Sequence, residues 1–305
     1  MNGWGEMSTG SRQKIAAYIE AVRPRHWLKN LLVFVPMFAA HDFSTKTCLL
    51  SLNAFLSFSL VASVVYILND LNDLTADRKH TRKRYRPIAS GRVTVLSSSI
   101  LAGIILVLAG ISATWLGTQF LGVILLYFLL TLTYTTLFKK IAYLDLGILT
   151  CLYLFRLIAG GQATEIPLSG WLLTFAGALF LSLAATKRHA ELVDVFSKDD
   201  HIRLVGRGYR LKDRPMVAAL GMLAGYASVL ILALYFMSQT VAQLYDSPIW
   251  LWGICGILIY WNHRVYTITS SGKMHDDPVV FATTDTKSLI CFGLVVLLIF
   301  CAMLL

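Results

Sequence analysis

Nine apolar runs divide this chain, at residues 27–41, 48–70, 95–116, 119–138, 143–161, 169–187, 216–238, 248–268 and 286–305. Hydrocarbon offers no water to backbone N–H and C=O groups, so segments of this kind fold as helices that satisfy those groups internally. Crossing a bilayer takes about 17–25 such residues, and 27–41 sits at the short end of that range. The expected architecture is an all-α polytopic membrane protein with about nine transmembrane helices. Composition agrees: 14% of the 305 residues are charged and mean hydropathy is +0.65, against about 25% charged in soluble domains.

The cations report orientation. Of 27 Lys and Arg, 24 fall in the segment through Lys29, the loop after the second run, Lys139–Lys140, residues 187–214, Lys273 and Lys287. The exceptions are Lys46, Arg156 and Arg264. Positive residues stay inside, so the N-terminus and these loops are expected on the cytoplasmic face of the inner (plasma) membrane. The net charge of +10 is carried between apolar runs rather than on a soluble domain, which points to membrane lipid headgroups and phosphorylated substrates and not to nucleic acid. The five cysteines lie scattered in apolar segments with neither disulfide nor zinc spacing. Residues 1–26 are polar, unlike a cleaved leader, with 1–13 expected to be disordered and 14–26 suited to an interfacial helix. Residues 27–305 read as a single transmembrane domain, compatible with a homo-oligomer.

The most charged stretch follows the second run: YILNDLNDLTADRKHTRKRYRPIASGRV, residues 66–93. If the helix continues to about residue 78, Asn69, Asp73 and Asp77 recur at i, i+4 and i+8 and form one stripe, with Asp70 beside it. Oxygen donors in this arrangement suit Mg²⁺, which is held by one or two carboxylates together with water and substrate phosphates. Arg78, Lys79, His80, Arg82, Lys83, Arg84 and Arg86 follow at once, a dense set of phosphate partners. A metal site beside cations at a membrane surface indicates a phosphorylated or diphosphate substrate. The basic run alone also fits an ordinary cytoplasmic loop, whereas membrane-edge carboxylates at this spacing tend to be functional.

A second constellation, LAATKRHAELVDVF, ends the sixth run. Lys187 and Glu191 stand at i, i+4, either as a helix-end ion pair or as a site where Lys187 and Arg188 hold phosphate and Glu191 accepts a sugar hydroxyl. Arg156 is a cation midway along an apolar run and needs a polar cavity or partner, so it is read as a phosphate ligand or a structural counter-ion. Arg25 and Lys29 at the mouth of the first run meet a lipid phosphate or anchor the helix. His275, Asp276, Asp277 and Asp285 form a loop that closes over the site or is merely solvated. Gly221 and Gly225 have the spacing that lets helices approach, and Trp27, Trp171 and Trp250 read as interfacial anchors.

The Asn69-Asp70-x-x-Asp73-x-x-x-Asp77 motif on a nine-run chain resembles the UbiA superfamily of intramembrane prenyltransferases. That resemblance implies a helical bundle around a central, lipid-accessible cavity, and two Asp-rich motifs that bind Mg²⁺ and a prenyl diphosphate. The first motif matches. In place of the second Asp-x-x-x-Asp, this chain has Lys187-Arg188-His189-Ala190-Glu191. With RPRHWLKN, LFRLIAGGQATEIPLS, TKRHAEL and, weakly, DDPVVFATTD, this departure resembles the branch that transfers phosphoribose to decaprenyl phosphate for cell-envelope biosynthesis.

The resemblance implies that phosphoribosyl diphosphate (PRPP) gives its 5-phosphoribosyl group to a polyprenyl phosphate. Asn69, Asp70, Asp73 and Asp77 would hold Mg²⁺, with Asp73, Asp77, Asn69 and Glu191 as the catalytic set. Lys29, Arg78, His80, Lys83, Arg84, Arg86, Arg156, Lys187 and Arg188 would bind substrate. The rival enzyme moves a prenyl chain from prenyl diphosphate to an aromatic acceptor. A lipid-phosphate flippase would spread polar residues over both leaflets, whereas here they gather on one face.

Overall fold

The computed structural model describes residues 9–81, 83–195, 204, 206–274 and 277–304. Arg82, His275 and Asp276, named above, lie outside them, as do residues 1–8. Among the described residues the chain is all-helical. In order come α1 (Thr9–Val22), a 3₁₀ segment (Pro24–Phe34), α2 (Val35–Ala39), α3 (Thr45–Asn72), α4 (Leu74–Lys79), α5 (Val95–Trp115), α6 (Thr118–Thr136) and α7 (Leu144–Thr164). Then follow α8 (Gly170–Val193), α9 (Arg214–Phe236), α10 (Gln239–Leu244), α11 (Trp252–Ser270), α12 (Pro278–Thr284) and α13 (Thr286–Leu304). The chain divides into two compact units, Met1–Thr135 with Phe155–Pro167, and Thr136–Leu154 with Leu168–Leu305.

Among the described residues seven helices, against about nine expected, are long and apolar enough to cross a membrane: α3, α5, α6, α7, α8, the Leu211–Phe236 helix and α13. The eighth expected run is the helix α11, diluted in hydropathy by Asn262, His263 and Arg264. The first run departs from expectation more sharply. Arg23 adopts a left-handed backbone (φ 55°, ψ 59°) immediately before Pro24, and α1 ends there. Eleven residues then wind as a 3₁₀ helix before Pro36 enters α2. With three residues per turn, side chains three apart eclipse. Trp27, Asn30 and Val33 therefore form one face, and Asn30 and Val33 are fully buried.

That face is what the first unit is assembled on. Trp27 Nε1 donates to Ser63 Oγ at 3.0 Å and Asn30 Nδ2 donates to Ser59 Oγ at 3.0 Å, using serines one turn apart on α3. Trp27 is thus tied to a neighbouring helix as well as standing near the segment's start. On the other side, a Cβ at Gly160 of α7 would lie 2.0 Å from the Val33 carbonyl oxygen, so only glycine permits this approach. The α3–α5 contact uses small residues in the same way. Ser98, Ala102, Ala109 and Ala113 are buried on α5, and Ser112 Oγ donates to Asn53 Oδ1 at 2.6 Å.

In the second unit α8 packs on α9, where Gly221 and Gly225 bring the helices together as their spacing predicts. A Cβ at Gly221 would meet Ala185 Cβ at 3.3 Å, and one at Gly225 would meet Ser182 Oγ at 2.9 Å. Ser182 Oγ donates to the Gly221 carbonyl at 2.7 Å. Lacking a hydrophobic force between helices in lipid, such close packing and interhelical hydrogen bonds supply the association.

Gly160→Ala should lower stability by about 1–3 kcal/mol, the usual range for forced overpacking. Gly147→Ala, on the same helix with open space around it, should not. Thermal unfolding in mild detergent distinguishes the two.

Candidate active site

The acidic stripe survives a break in its helix. Asp73 leaves helical geometry (φ −92°, ψ 8°) between α3 and α4, yet its N–H still donates to the Asn69 carbonyl at 2.9 Å. Asp77 N–H in turn donates to the Asp73 carbonyl at 2.8 Å. Because the i to i−4 ladder continues, Asn69, Asp73 and Asp77 keep a one-turn spacing. Asp77 is buried, 2% exposed, and Asn69 and Asp73 are half-buried. Neither Asn69 nor Asp73 has a side-chain hydrogen bond or ion pair to another described residue, which leaves their oxygens uncommitted.

Asp70 and Asp77 are held by arginines. Arg23 Nη2 sits astride the Asp70 carboxylate, 2.6 Å from Oδ1 and 2.7 Å from Oδ2. Arg86 Nη1 lies 2.6 Å from Asp77 Oδ2 and 3.1 Å from Asp70 Oδ1. Of the basic run, Arg86 is the residue brought against the carboxylates. Arg78 Nε donates to the Ala89 carbonyl at 3.4 Å, and Arg84 Nη2 donates to Tyr85 Oη at 2.7 Å over that ring. Arg78, His80, Lys83 and Arg84 are all exposed, and Lys29 is half-buried.

Arg156 is buried in the first unit. Its Nε donates to Asn30 Oδ1 at 3.0 Å and its Nη2 to Tyr127 Oη at 3.3 Å, with the Phe58 and Tyr127 rings 5.2 and 5.3 Å from the guanidinium carbon. Aromatic faces attract a desolvated cation, so these rings and the Asn30 amide hold the buried guanidinium in place.

In the second unit the residues at the end of α8 part company. Lys187 pairs with Asp277 at 2.7 Å, not with Glu191, and Asp277 also accepts from Tyr153 Oη at 3.3 Å while capping α12 through Val279 N–H. The Lys187 side chain is 31% exposed. Arg188 is fully buried: it pairs with Asp145 at 2.7 Å and with Glu191, and stacks over Tyr209. Glu191 is also 3.7 Å from Arg207. Tyr209 Oη donates to Asp145 Oδ1 at 2.5 Å and accepts from Tyr143 N–H at 2.8 Å. Burial and that bond to a carboxylate push the Tyr209 phenol far above its ordinary value. Asp285, outside the spans, is held down to about 2 by the Arg264 guanidinium, 2.7 and 2.9 Å away.

Spacing had not singled out Arg23, Asp145 and Tyr209. A signal was present for two of them: Asp145 opens an apolar run and needs a buried cation, and Arg23 stands just before the first run. Nothing in the sequence marks Tyr209.

The donor set fits a hard divalent cation in part. Among the described residues no three His, Cys, Asp or Glu side chains form a ready metal cage. Two carboxylates on one helix face with an amide oxygen beside them match the sparse protein ligation that Mg²⁺ uses when water and phosphates complete its shell.

The helical architecture belongs to a known class of membrane fold. A UbiA homolog from Archaeoglobus fulgidus bound to GPP and Mg²⁺ superposes with a TM-score of 0.67 at 16% identity, covering 93% of this chain and 99% of that one. A digeranylgeranylglyceryl phosphate synthase gives a TM-score of 0.65 at 15% identity, over 95% and 98%. Residues 31–197 match the UbiA prenyltransferase family, and the chain is a member of that family of membrane transferases.

Among individual proteins, it is 37% identical to nodulation protein NoeC of Azorhizobium caulinodans over 93% of this chain and 92% of NoeC. It is 36% identical to the uncharacterized protein y4nM of Sinorhizobium fredii, again over 93% of this chain, which spans 56% of that protein's length. Decaprenyl-phosphate phosphoribosyltransferase of Mycolicibacterium smegmatis is 40% identical over 184 residues, 58% of each chain.

Asp145→Leu would take from Arg188 its fully buried counter-charge, leaving only the part-exposed Glu191, and should destabilise the protein by about 3–5 kcal/mol. Asp145→Leu with Arg188→Met should recover most of that loss, as read by thermal unfolding. The Arg264–Asp285 pair has an acid signature. Since the folded carboxyl titrates below its ordinary 3.8, its contribution is complete above about pH 4 and is lost as pH falls through about 2. Asp285→Asn should flatten the stability profile in that window.

Proposed function

We propose that this protein transfers the 5-phosphoribosyl group of PRPP to a polyprenyl phosphate, releasing diphosphate, at the cytoplasmic face of the inner membrane. The observation that carries the reading is the second motif. A half-exposed ammonium, Lys187, stands where aromatic prenyltransferases have a further Asp-rich motif. An extra metal site suits a second grip on a diphosphate, whereas a cation suits the 5-phosphate that PRPP has and a prenyl diphosphate lacks. The similarity to a decaprenyl-phosphate phosphoribosyltransferase supports the same branch.

Asn69, Asp73 and Asp77 would hold Mg²⁺. When bound, the ion neutralises charge on the departing diphosphate. Arg86, beside Asp77, binds the diphosphate, and exposed Arg78, Lys83 and Arg84, with His80, attract the polyanion. Lys187 takes the 5-phosphate. Arg188 acts through its neighbours, since its buried guanidinium fixes Glu191, and Glu191 accepts a ribose hydroxyl. Lys29 meets the lipid phosphate and Arg156 holds the core behind it.

The lipid phosphate oxygen attacks the anomeric carbon as the C1–O bond to diphosphate breaks. A phosphate monoester is largely ionised near neutral pH, so positioning and charge stabilisation can carry the reaction without a strong general base.

Purified protein given ribose-labelled PRPP, decaprenyl phosphate and Mg²⁺ should move label into the organic phase, dependent on both lipid and metal. Lys187→Gln should raise KM for PRPP about tenfold, the loss of one charge-assisted contact of about 1.4 kcal/mol. Prenylation of an aromatic acid from prenyl diphosphate, with no label transferred, would overturn the reading.

A further inference from the structure

Asp70 is a buried carboxylate that the proposed chemistry does not use, although it adjoins the stripe that would hold the metal. On an unbroken helix it would lie about 100° from Asn69, about 60° from Asp73 and about 20° from Asp77, so its partners, not its direction, set it apart from the stripe. It is 4% exposed, and Arg23 lies within 2.7 Å of both of its oxygens. Arg23 has a left-handed backbone, which L-residues adopt only where the surroundings hold them there. Three contacts do so: Ser63 Oγ donates to the Val22 carbonyl at 2.9 Å, Trp27 donates to the same Ser63, and the Arg23 guanidinium rests over Tyr66. The Arg23–Asp70 contact is therefore built in from both ends.

Arg86 is held differently. It is closer to Asp77 than to Asp70, and its side chain is 29% exposed. A divalent cation on Asp77 would compete with Arg86 for the same carboxylate. From these contacts we infer that Asp70 is not a metal ligand but the pivot of an arginine clamp. Arg23 locks Asp70, and Asp70 retains Arg86 as it turns from Asp77 to the substrate diphosphate. Arg23 and Asp70 are then positioning residues, and Arg86 is the moving part. The inference rests on the reading of Asn69, Asp73 and Asp77 as the metal site.

The clamp has a consequence of unusual sign. Since Arg86 competes with metal for Asp77, its removal favours the metal while harming the anion. Mn²⁺ binding followed by electron paramagnetic resonance, and binding of inorganic diphosphate in saturating Mg²⁺ followed by calorimetry, read the two separately on detergent-solubilised full-length protein. Arg86→Gln should tighten Mn²⁺ and weaken diphosphate, each by about threefold or more. Asp70→Asn and Arg23→Gln should weaken diphosphate by about tenfold while Mn²⁺ affinity changes by less than about threefold, with Arg23→Lys restoring part of the loss. Asp77→Asn should lose Mn²⁺. Thermal unfolding of each variant excludes global misfolding.

Equal loss of Mn²⁺ in Asp70→Asn and Asp77→Asn, or weaker Mn²⁺ in Arg86→Gln, would overturn the clamp. Mn²⁺ binding indifferent to Asp77→Asn would instead overturn the metal reading, and the inference with it. Inorganic diphosphate is common to PRPP and prenyl donors, so the result stands apart from the identity of the transferred group.

Discussion

An ionised carboxylate inside an apolar protein must be given a cation at contact distance, because taking it out of water unpaired costs far more than a fold of this size can offset. That constraint fixes the helix ends that carry the charged clusters here. Asp70 and Asp77 hold the end of α3 and the start of α4 against Arg23 and Arg86. Asp145 and Arg188, both with fully buried side chains, fix the end of α8 to the start of α7. Removing a partner leaves a buried charge with fewer counter-charges, so these ends are determined more tightly than packing among Leu, Val and Ala would determine them.

The same constraint explains why Lys187 and Arg188, adjacent in sequence, serve different ends. Successive residues on a helix point about 100° apart. Arg188 faces the core and is spent on Asp145, Glu191 and the Tyr209 ring. Lys187 faces outward to a carboxylate at the base of a seven-residue helix. The pair looks like one phosphate site in the sequence, and in three dimensions it is a buried strut beside a part-exposed cation.

What the sequence made legible was whatever depends on local period. The acidic stripe, the helical class and the close approach at Gly221 and Gly225 follow from spacings of four residues. The first run was misjudged because hydropathy does not distinguish a 3.0 from a 3.6 period over fifteen residues. Only the contacts of Trp27, Asn30 and Val33 expose the difference. Pairings were illegible for a different reason: Arg23 finds Asp70 47 positions away and Lys187 finds Asp277 90 positions away. No periodicity reports an encounter at that range, whereas the need for one can be inferred from a carboxylate bordered by apolar residues, as at Asp145.

Neutralisation in advance also bears on which ligands such a protein accepts. Arg86 and Lys187 both rest on carboxylates, so an incoming anion must outcompete a partner already in contact. A monovalent anion gains little from such an exchange, since it trades one unit of charge for another and loses the geometry. On the proposed reading, a diphosphate with its own divalent ion would differ: the carboxylates would hold the ion while Arg86 turned to the phosphates, and every charge released in one exchange would be neutralised by the other. Metal and polyanion would then bind together better than either alone.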